Sequence, residues 1–158
     1  MIGVCKGLFS RRLEMFENDL KEWKKTEREF AKRLLDWGLN RLEFAPNKQF
    51  KDWDIRIEFE KLGQNVIRTF EIKDDMISAQ TWNVWFEVRC NGKPSWIYSS
   101  KADYIVYHLG DKFYYQDRWE LIYALNDIPH TQTLWWDWGK SLLYIVEKKY
   151  LSDLFKEL

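Results

Sequence analysis

Apolar residues along the chain recur first at a helical period and then at a strand period. Leu13, Phe16, Leu20, Trp23, Phe30, Leu34 and Trp37 follow one another at steps of three, four and seven. That spacing gathers them on one side of a helix, leaves Lys and Glu on the other, and predicts an amphipathic helix over about 11–38. Gly38, Asn40 and Pro46 then predict a loop. From Asp52 the period falls to two. Ile55, Ile57 and Phe59 alternate with Asp54, Arg56, Glu58 and Glu60, as in a half-buried strand. Lys61 to Asn65 reads as a turn. A second strand over about 66–73 places Ile67, Thr69, Glu71 and Lys73 on one face and Arg68, Phe70 and Ile72 on the other. Asp74-Asp75 ends it.

A third strand is predicted over about 83–90, closed by a turn at Asn91-Gly92-Lys93-Pro94. Ser99-Ser100-Lys101-Ala102-Asp103 predicts a short helical or irregular piece. Tyr104–Leu109 and Phe113–Tyr115 read as strands joined by a Gly110-Asp111 hairpin signal. Arg118–Asn126 reads as a helix, Leu142–Val146 as a late strand, and Tyr150–Leu158 as a final helix with Ser152 as a candidate cap. No repeat, low-complexity tract or linker interrupts this order, so residues 1–158 read as one domain. The order implies a mixed α/β (α+β) sandwich around a central sheet.

Composition narrows the picture. Apolar residues make up 46% and charged residues 32% of 158 residues, enough for a globular core. Lys+Arg and Asp+Glu are both 25, so a nucleic-acid surface would have to be local rather than global. The 10 Trp suit a core, base stacking or a partner surface equally. Cys5 and Cys90 form no CxxC or Cys/His cluster, which argues against a zinc site or disulfide framework and fits a reducing cytoplasm. Met1 to Phe9 is weakly apolar and Arg11-Arg12 follows it, the wrong order for a signal peptide. No apolar run nears the roughly 20 residues of a membrane helix.

Chemistry concentrates at Asp54, Glu71 and Lys73. Glu71 and Lys73 are two apart on one strand, so they leave the same face, and a hairpin brings Asp54 to the neighbouring strand. Two adjacent carboxylates favour a divalent cation, and oxygen ligands suit Mg²⁺ or Mn²⁺. Such an ion polarises a phosphodiester and acidifies water, while a neighbouring lysine orients that water and offsets phosphate charge. Alternating Glu and Lys on a strand is also an ordinary solvated face, and that reading suits Glu58 and Glu60.

The segments Asp52-Trp53-Asp54-Ile55 and Phe70-Glu71-Ile72-Lys73-Asp74-Asp75 resemble the D…(D/E)-x-K signature of the PD-(D/E)XK nuclease superfamily. Thr81-Trp82-Asn83-Val84, Glu87, Gly92-Lys93-Pro94-Ser95 and Ser99-Ser100-Lys101-Ala102-Asp103-Tyr104 resemble its phage-type, Holliday-junction-resolvase-like members. The resemblance covers about 20–110, with 111–158 as a C-terminal extension and an echo at Trp138-Gly139-Lys140-Ser141-Leu142. It implies a restriction-endonuclease-like core, a central mixed sheet of about five strands flanked by helices. By the same resemblance Asp54 and Glu71 hold Mg²⁺ or Mn²⁺, Lys73 attends the nucleophilic water, and the substrate is DNA, branched DNA included. The superfamily often adds a carboxylate from its first helix, and Glu27 in Glu27-x-x-x-Ala31-x-x-Leu34 fits it, an exposed helix charge being the other reading. A phage-encoded copy would work in the host cytoplasm.

The chain departs from that pattern where small residues are expected: at Trp82, Trp96, Trp135, Trp136 and Trp138. Glycine serves where backbone approaches a ligand, so large rings there bear on substrate access. This separates two readings, an active DNA endonuclease and a nuclease-like scaffold used for nucleic-acid binding or phage assembly. RNA as substrate and a homodimer stay open. Ser100, Lys101 and Lys93 are candidate backbone contacts, with a helix cap and solvated lysines as the alternatives. Glu87 is a candidate metal or supporting carboxylate beside a plain surface pair. His108 and His130 read as structural, and Leu134 to Trp138 as a core or interface cluster.

Overall fold

The computed structural model describes residues 25–46, 52–74, 78, 80–136 and 140–158. The chain is a mixed α+β protein with multi-stranded sheets and a few helices. It divides into two compact units, Met1–Ile72 and Lys73–Leu158.

In the first unit, α1 (Lys25–Leu34) buries Thr26, Glu27, Phe30, Ala31 and Leu34 along one side. Lys32 and Arg33 lie in its last turn, where cations suit the helix dipole. A 3₁₀ turn, Leu35–Trp37, follows, and Gly38 stops it in the left-handed conformation at φ 73°. Three antiparallel strands come next: β1 (Arg41–Phe44), β2 (Ile55–Lys61) and β3 (Gln64–Asp74). The last two residues of β3 already belong to the second unit. Leu42 pairs with Ile57, and Ile55 with Phe70. Leu42, Ile55, Ile57, Phe70 and Ile72 therefore share the apolar face, all buried. Phe30 and Trp37 meet Phe70 edge-on on that face, at 5.4 and 6.4 Å between centroids. The opposite face is charged. Glu43 accepts from both Arg41 and Arg56, at 2.9 Å for Arg56, and Arg56 also reaches Glu58 at 2.7 Å.

The β2–β3 hairpin turns on two residues, Leu62 and Gly63, both at positive φ (52° and 76°). That is the mirror-image turn whose twist suits a hairpin, and Leu62 adopts it against the steric preference of its side chain.

The second unit holds two antiparallel arrangements. In one, β6 (Tyr104–Leu109) pairs with β7 (Lys112–Asp117), which pairs with β10 (Lys156–Glu157). In the other the order is β5-β4-β9-β8: β5 (Lys93–Pro94), β4 (Asn83–Cys90), β9 (Lys140–Glu147) and β8 (Thr131–Trp136). Helices α2 (Trp96–Ser99), α3 (Arg118–Asp127) and α4 (Leu151–Leu154) complete it. Asp117 caps α3 by accepting from the N–H groups of Trp119 and Glu120 at 2.9 and 3.1 Å. Val84, Phe86, Ile97, Ile105, Tyr107, Leu121, Leu125, Val146, Leu154 and Phe155 form the core of this unit. Tyr107 sits between Phe86 and Phe155 at 5.1 and 5.6 Å, and its buried hydroxyl donates to the Trp85 carbonyl at 3.1 Å.

Several expectations change. Residues 11–24 of the expected first helix lie outside the described residues, and the rest is α1 plus the 3₁₀ turn. The expected loop after Gly38 contains β1, whose four residues alternate too briefly to stand out. The third strand pairs with β9, not with its sequence neighbour β3. Thr131–Trp136, unassigned in sequence, is a strand. The expected final helix is four residues long and gives way to β10; Leu151, Leu154 and Phe155 are buried, and the chain then pairs with β7. Ser152 makes no cap there.

Candidate functional site

Asp54 lies one residue before β2 and extends the β2–β3 pairing by other means. Its backbone N–H donates to the Phe70 carbonyl at 2.8 Å, and its carboxylate Oδ2 accepts the Ile72 N–H at 2.7 Å. A side-chain oxygen thus replaces a ladder carbonyl. These two bonds bracket Glu71 and set Asp54 opposite it on the neighbouring strand. Glu71 leaves β3 opposite to the buried Phe70 and Ile72, by strand alternation. It is half-buried, and its Oε2 is sealed from solvent. The β2–β3 pairing thus brings Asp54 and Glu71 onto neighbouring strands.

Lys73 follows Glu71 at two residues on β3 and is exposed. Its ammonium lies 5.6 Å from the centre of the Trp96 ring. A lysine over an indole is held by the ring quadrupole, a contact of about 0.5–1 kcal/mol at an exposed site. Trp96, read from sequence only as a departure from a family pattern, is therefore the residue that positions Lys73. Asp74 pairs with His108 Nδ1 at 3.1 Å, and His108 stacks on Phe113 at 4.5 Å. His130 donates through Nδ1–H to the Ile128 carbonyl, 2.8 Å away, since a carbonyl only accepts. It stacks on Tyr144 at 4.2 Å.

Glu27 is buried on α1, whose apolar side meets Phe70. Among the described residues, no three His, Cys, Asp or Glu side chains converge as a metal-holding group. The donor chemistry of Asp54 and Glu71 nevertheless fits a hard divalent cation, which commonly takes one or two protein carboxylates and fills its other positions with water and phosphate. The Ile72 N–H bond would fix the orientation of one such ligand.

The remaining candidates separate. Ser100 is buried at the end of α2 and its Oγ accepts the Ala102 N–H at 3.1 Å, a local turn bond. Lys101 and Lys93 are exposed. Glu87 accepts hydrogen bonds from two buried hydroxyls, Ser95 Oγ and Ser141 Oγ, the latter at 2.7 Å. It ties β4 to the start of α2 and to β9, across the register shift between Glu87 and Arg89. Sequence reading found the carboxylate but not its partners, because Ser141 lies 54 positions away. Trp82 is 87% exposed, and Trp135 meets Trp85 edge-on at 5.8 Å. The Trp136 side chain and residues 137–139, Trp138 included, lie outside the described residues.

Among the described residues, no helix is long and apolar enough to cross a membrane. No family model, no curated protein and no solved structure matches this chain.

Proposed function

We propose that the chain is a Mg²⁺- or Mn²⁺-dependent endonuclease that hydrolyses phosphodiester bonds in DNA, branched DNA included. One observation carries the reading: the Asp54 carboxylate is locked to the Ile72 N–H at 2.7 Å, beside the half-buried Glu71. Burying carboxylate next to carboxylate costs free energy that a bound cation offsets. In this reading Asp54 and Glu71 hold the ion. Bound there, the ion supplies Lewis-acid activation of the phosphodiester and of water. Glu71 presents its oxygens from a strand fixed by the β2–β3 ladder, so the ligand pair is preorganised. Lys73, two residues further along β3, is the group that would orient the attacking water and offset phosphate charge. The test is a cleavage panel of linear, nicked, single-stranded and branched DNA, with an RNA arm, in Mg²⁺ or Mn²⁺. EDTA-sensitive cutting that is lost in Glu71→Ala and Lys73→Ala, with the fold retained, supports the reading. Intact substrates throughout defeat it.

A second reading has its own support. The Lys73 ammonium is engaged by Trp96 and no third metal-type ligand joins the carboxylates among the described residues. Those features suit a nuclease-like scaffold that binds nucleic acid or an assembly partner without cutting. It predicts nucleic-acid or partner binding unaffected by EDTA.

A further inference from the structure

Two hairpin turns of this protein share one backbone geometry and differ in one residue. Asn91-Gly92 joins β4 to β5, with Cys90 and Lys93 paired on either side, at φ 52° and 77°. Leu62-Gly63 joins β2 to β3, with Lys61 and Gln64 paired on either side, at φ 52° and 76°. A turn with both central φ values positive favours Asn, Asp or Gly at its first position. Asn91 meets that preference. Leu62 does not, because its Cβ crowds the following carbonyl in this conformation. Packing does not compensate, since Leu62 is 95% exposed. A strained apolar side chain in full contact with water, where asparagine would sit without strain, points to a task other than folding.

The surroundings of Leu62 narrow that task. β1 pairs with β2 only as far as Glu58, while the β2–β3 ladder continues through Phe59 with Val66, Glu60 with Asn65 and Lys61 with Gln64. The tip therefore projects about 10 Å beyond β1. Lys61 to Asn65 are all exposed, and Leu62 is the one apolar side chain among them. One side chain cannot anchor a protein interface, which buries about 800 Å² per partner. Nor can it hold a membrane surface, which needs a continuous apolar face. A base step, in contrast, takes a single apolar side chain. Proteins that open DNA from the minor groove insert a leucine or a similar wedge and hold the groove with Lys, Arg, Asn and Gln. Lys61, Leu62, Gln64 and Asn65 supply that combination on a two-residue turn.

We propose that Leu62 is a wedge that the β2–β3 hairpin inserts between two base pairs of bound DNA, with Lys61 on a phosphate and Gln64 and Asn65 on the groove edges. The inference rests on the reading of DNA as the substrate and deepens it. One hairpin carries the Asp54–Glu71 pair at its base and a DNA-opening device at its tip. Glu71 and Leu62 lie at opposite ends of β3, about 25 Å apart at the usual strand rise. At about 3.4 Å per base pair, the opened step lies within about eight base pairs of the bond to be cut. A branch point, already partly unstacked, accepts the wedge more readily than a continuous duplex does. Leu62 touches no reacting atom in this scheme; it determines which DNA structure is bound.

2-Aminopurine, a base whose emission rises when it unstacks, tests the wedge. It is placed in turn at each step within about ten base pairs of the centre of a branched DNA junction, and in the matching duplex. The whole protein is added to saturation in EDTA, so that no strand is cut. The wild type is expected to raise the emission at one or two steps, more strongly in the junction than in the duplex. Leu62→Asn reduces that rise at least about fivefold while unfolding at the same or a higher urea concentration, a combination that a merely structural leucine does not give. Leu62→Met stays apolar and keeps the rise. Flat emission under bound wild type overturns the proposal, as does a rise that Leu62→Asn leaves intact. Leu62-dependent adhesion to vesicles of phosphatidylcholine and phosphatidylserine, with flat emission, also overturns it. Parallel reactions in Mg²⁺ separate this inference from the endonuclease reading. A rise without cutting keeps the wedge and removes the endonuclease, cutting with flat emission does the reverse, and no DNA binding removes both.

Discussion

Replacing Glu87 by alanine removes the one acceptor shared by two buried hydroxyls. Ser95 and Ser141 are 7% and 9% exposed, and each donates to a separate oxygen of the Glu87 carboxylate. Hydrogen bonds to a charged acceptor contribute about 1.5–3 kcal/mol each, and leaving a buried donor unsatisfied costs about 1–3 kcal/mol. Glu87 is half-buried, so part of its charge stays solvated and the lower ends of these ranges apply. Glu87→Ala is therefore expected to cost about 3 kcal/mol, with β4 loosened from α2 and β9 together. Glu87→Gln keeps one acceptor oxygen and turns the other site into a donor, which a serine oxygen can accept; about 1 kcal/mol is expected. Urea unfolding followed by tryptophan fluorescence measures both. The decisive readout is non-additivity. Ser95→Ala and Ser141→Ala each cost stability in the wild type and little in Glu87→Ala, because their acceptor has gone, a coupling of about 1 kcal/mol or more in the double-mutant cycle. If the serine substitutions cost the same on both backgrounds, the three side chains do not act as a unit and the reasoning fails.

Three further outcomes follow from other parts of the molecule. Phe70→Ala empties the place where Phe30 and Trp37 converge, and is expected to cost about 3–5 kcal/mol by chemical denaturation of the whole chain. Leu62→Asn relieves a leucine in left-handed conformation that is 95% exposed and has little packing to lose, so a gain of about 0.5–1 kcal/mol is expected in the same assay. Burial, and then the neighbouring Tyr144, raise the Tyr98 phenol above its usual 10.0. The folded state thus keeps the neutral phenol longer than the unfolded chain does. The contribution is full below the unfolded value and is lost as pH rises from there through the folded value. Unfolding free energies measured from about pH 8 to 11 should fall more steeply in the wild type than in Tyr98→Phe.

What the sequence disclosed followed periodicity. The period-two runs at 55–60 and 66–73 became β2 and β3, and their alternation sorted Asp54, Glu71 and Lys73 from Ile55, Phe70 and Ile72. The hairpin at Gly110-Asp111 and the helix after Asp117 were legible for the same local reasons. Pairing partners were not. Nothing local in Asn83–Cys90 says that it joins β9, about 60 residues away, rather than β3. The Glu87–Ser141 bond is a consequence of that pairing and stayed hidden with it. β8 escaped because Thr-Gln-Thr-Leu-Trp-Trp lacks polar alternation; its strand state comes from the ladder with β9. Trp96 shows a different limit. Its spacing marked only a large ring in place of a small residue, whereas its contact with Lys73 is a matter of tertiary placement.

In the proposed mechanism everything depends on the Asp54–Glu71 pair binding a cation. Isothermal titration of Mn²⁺ tests it most directly, into wild type, Glu71→Ala and Asp54→Asn. The asparagine variant keeps an oxygen to accept the Ile72 N–H but removes the charge, so it isolates the electrostatic contribution from the structural one. Saturable binding of one ion by the wild type is expected, weakened at least about tenfold in both variants, with unchanged far-ultraviolet circular dichroism. Binding equal in all three proteins, or no binding by the wild type, would contradict it.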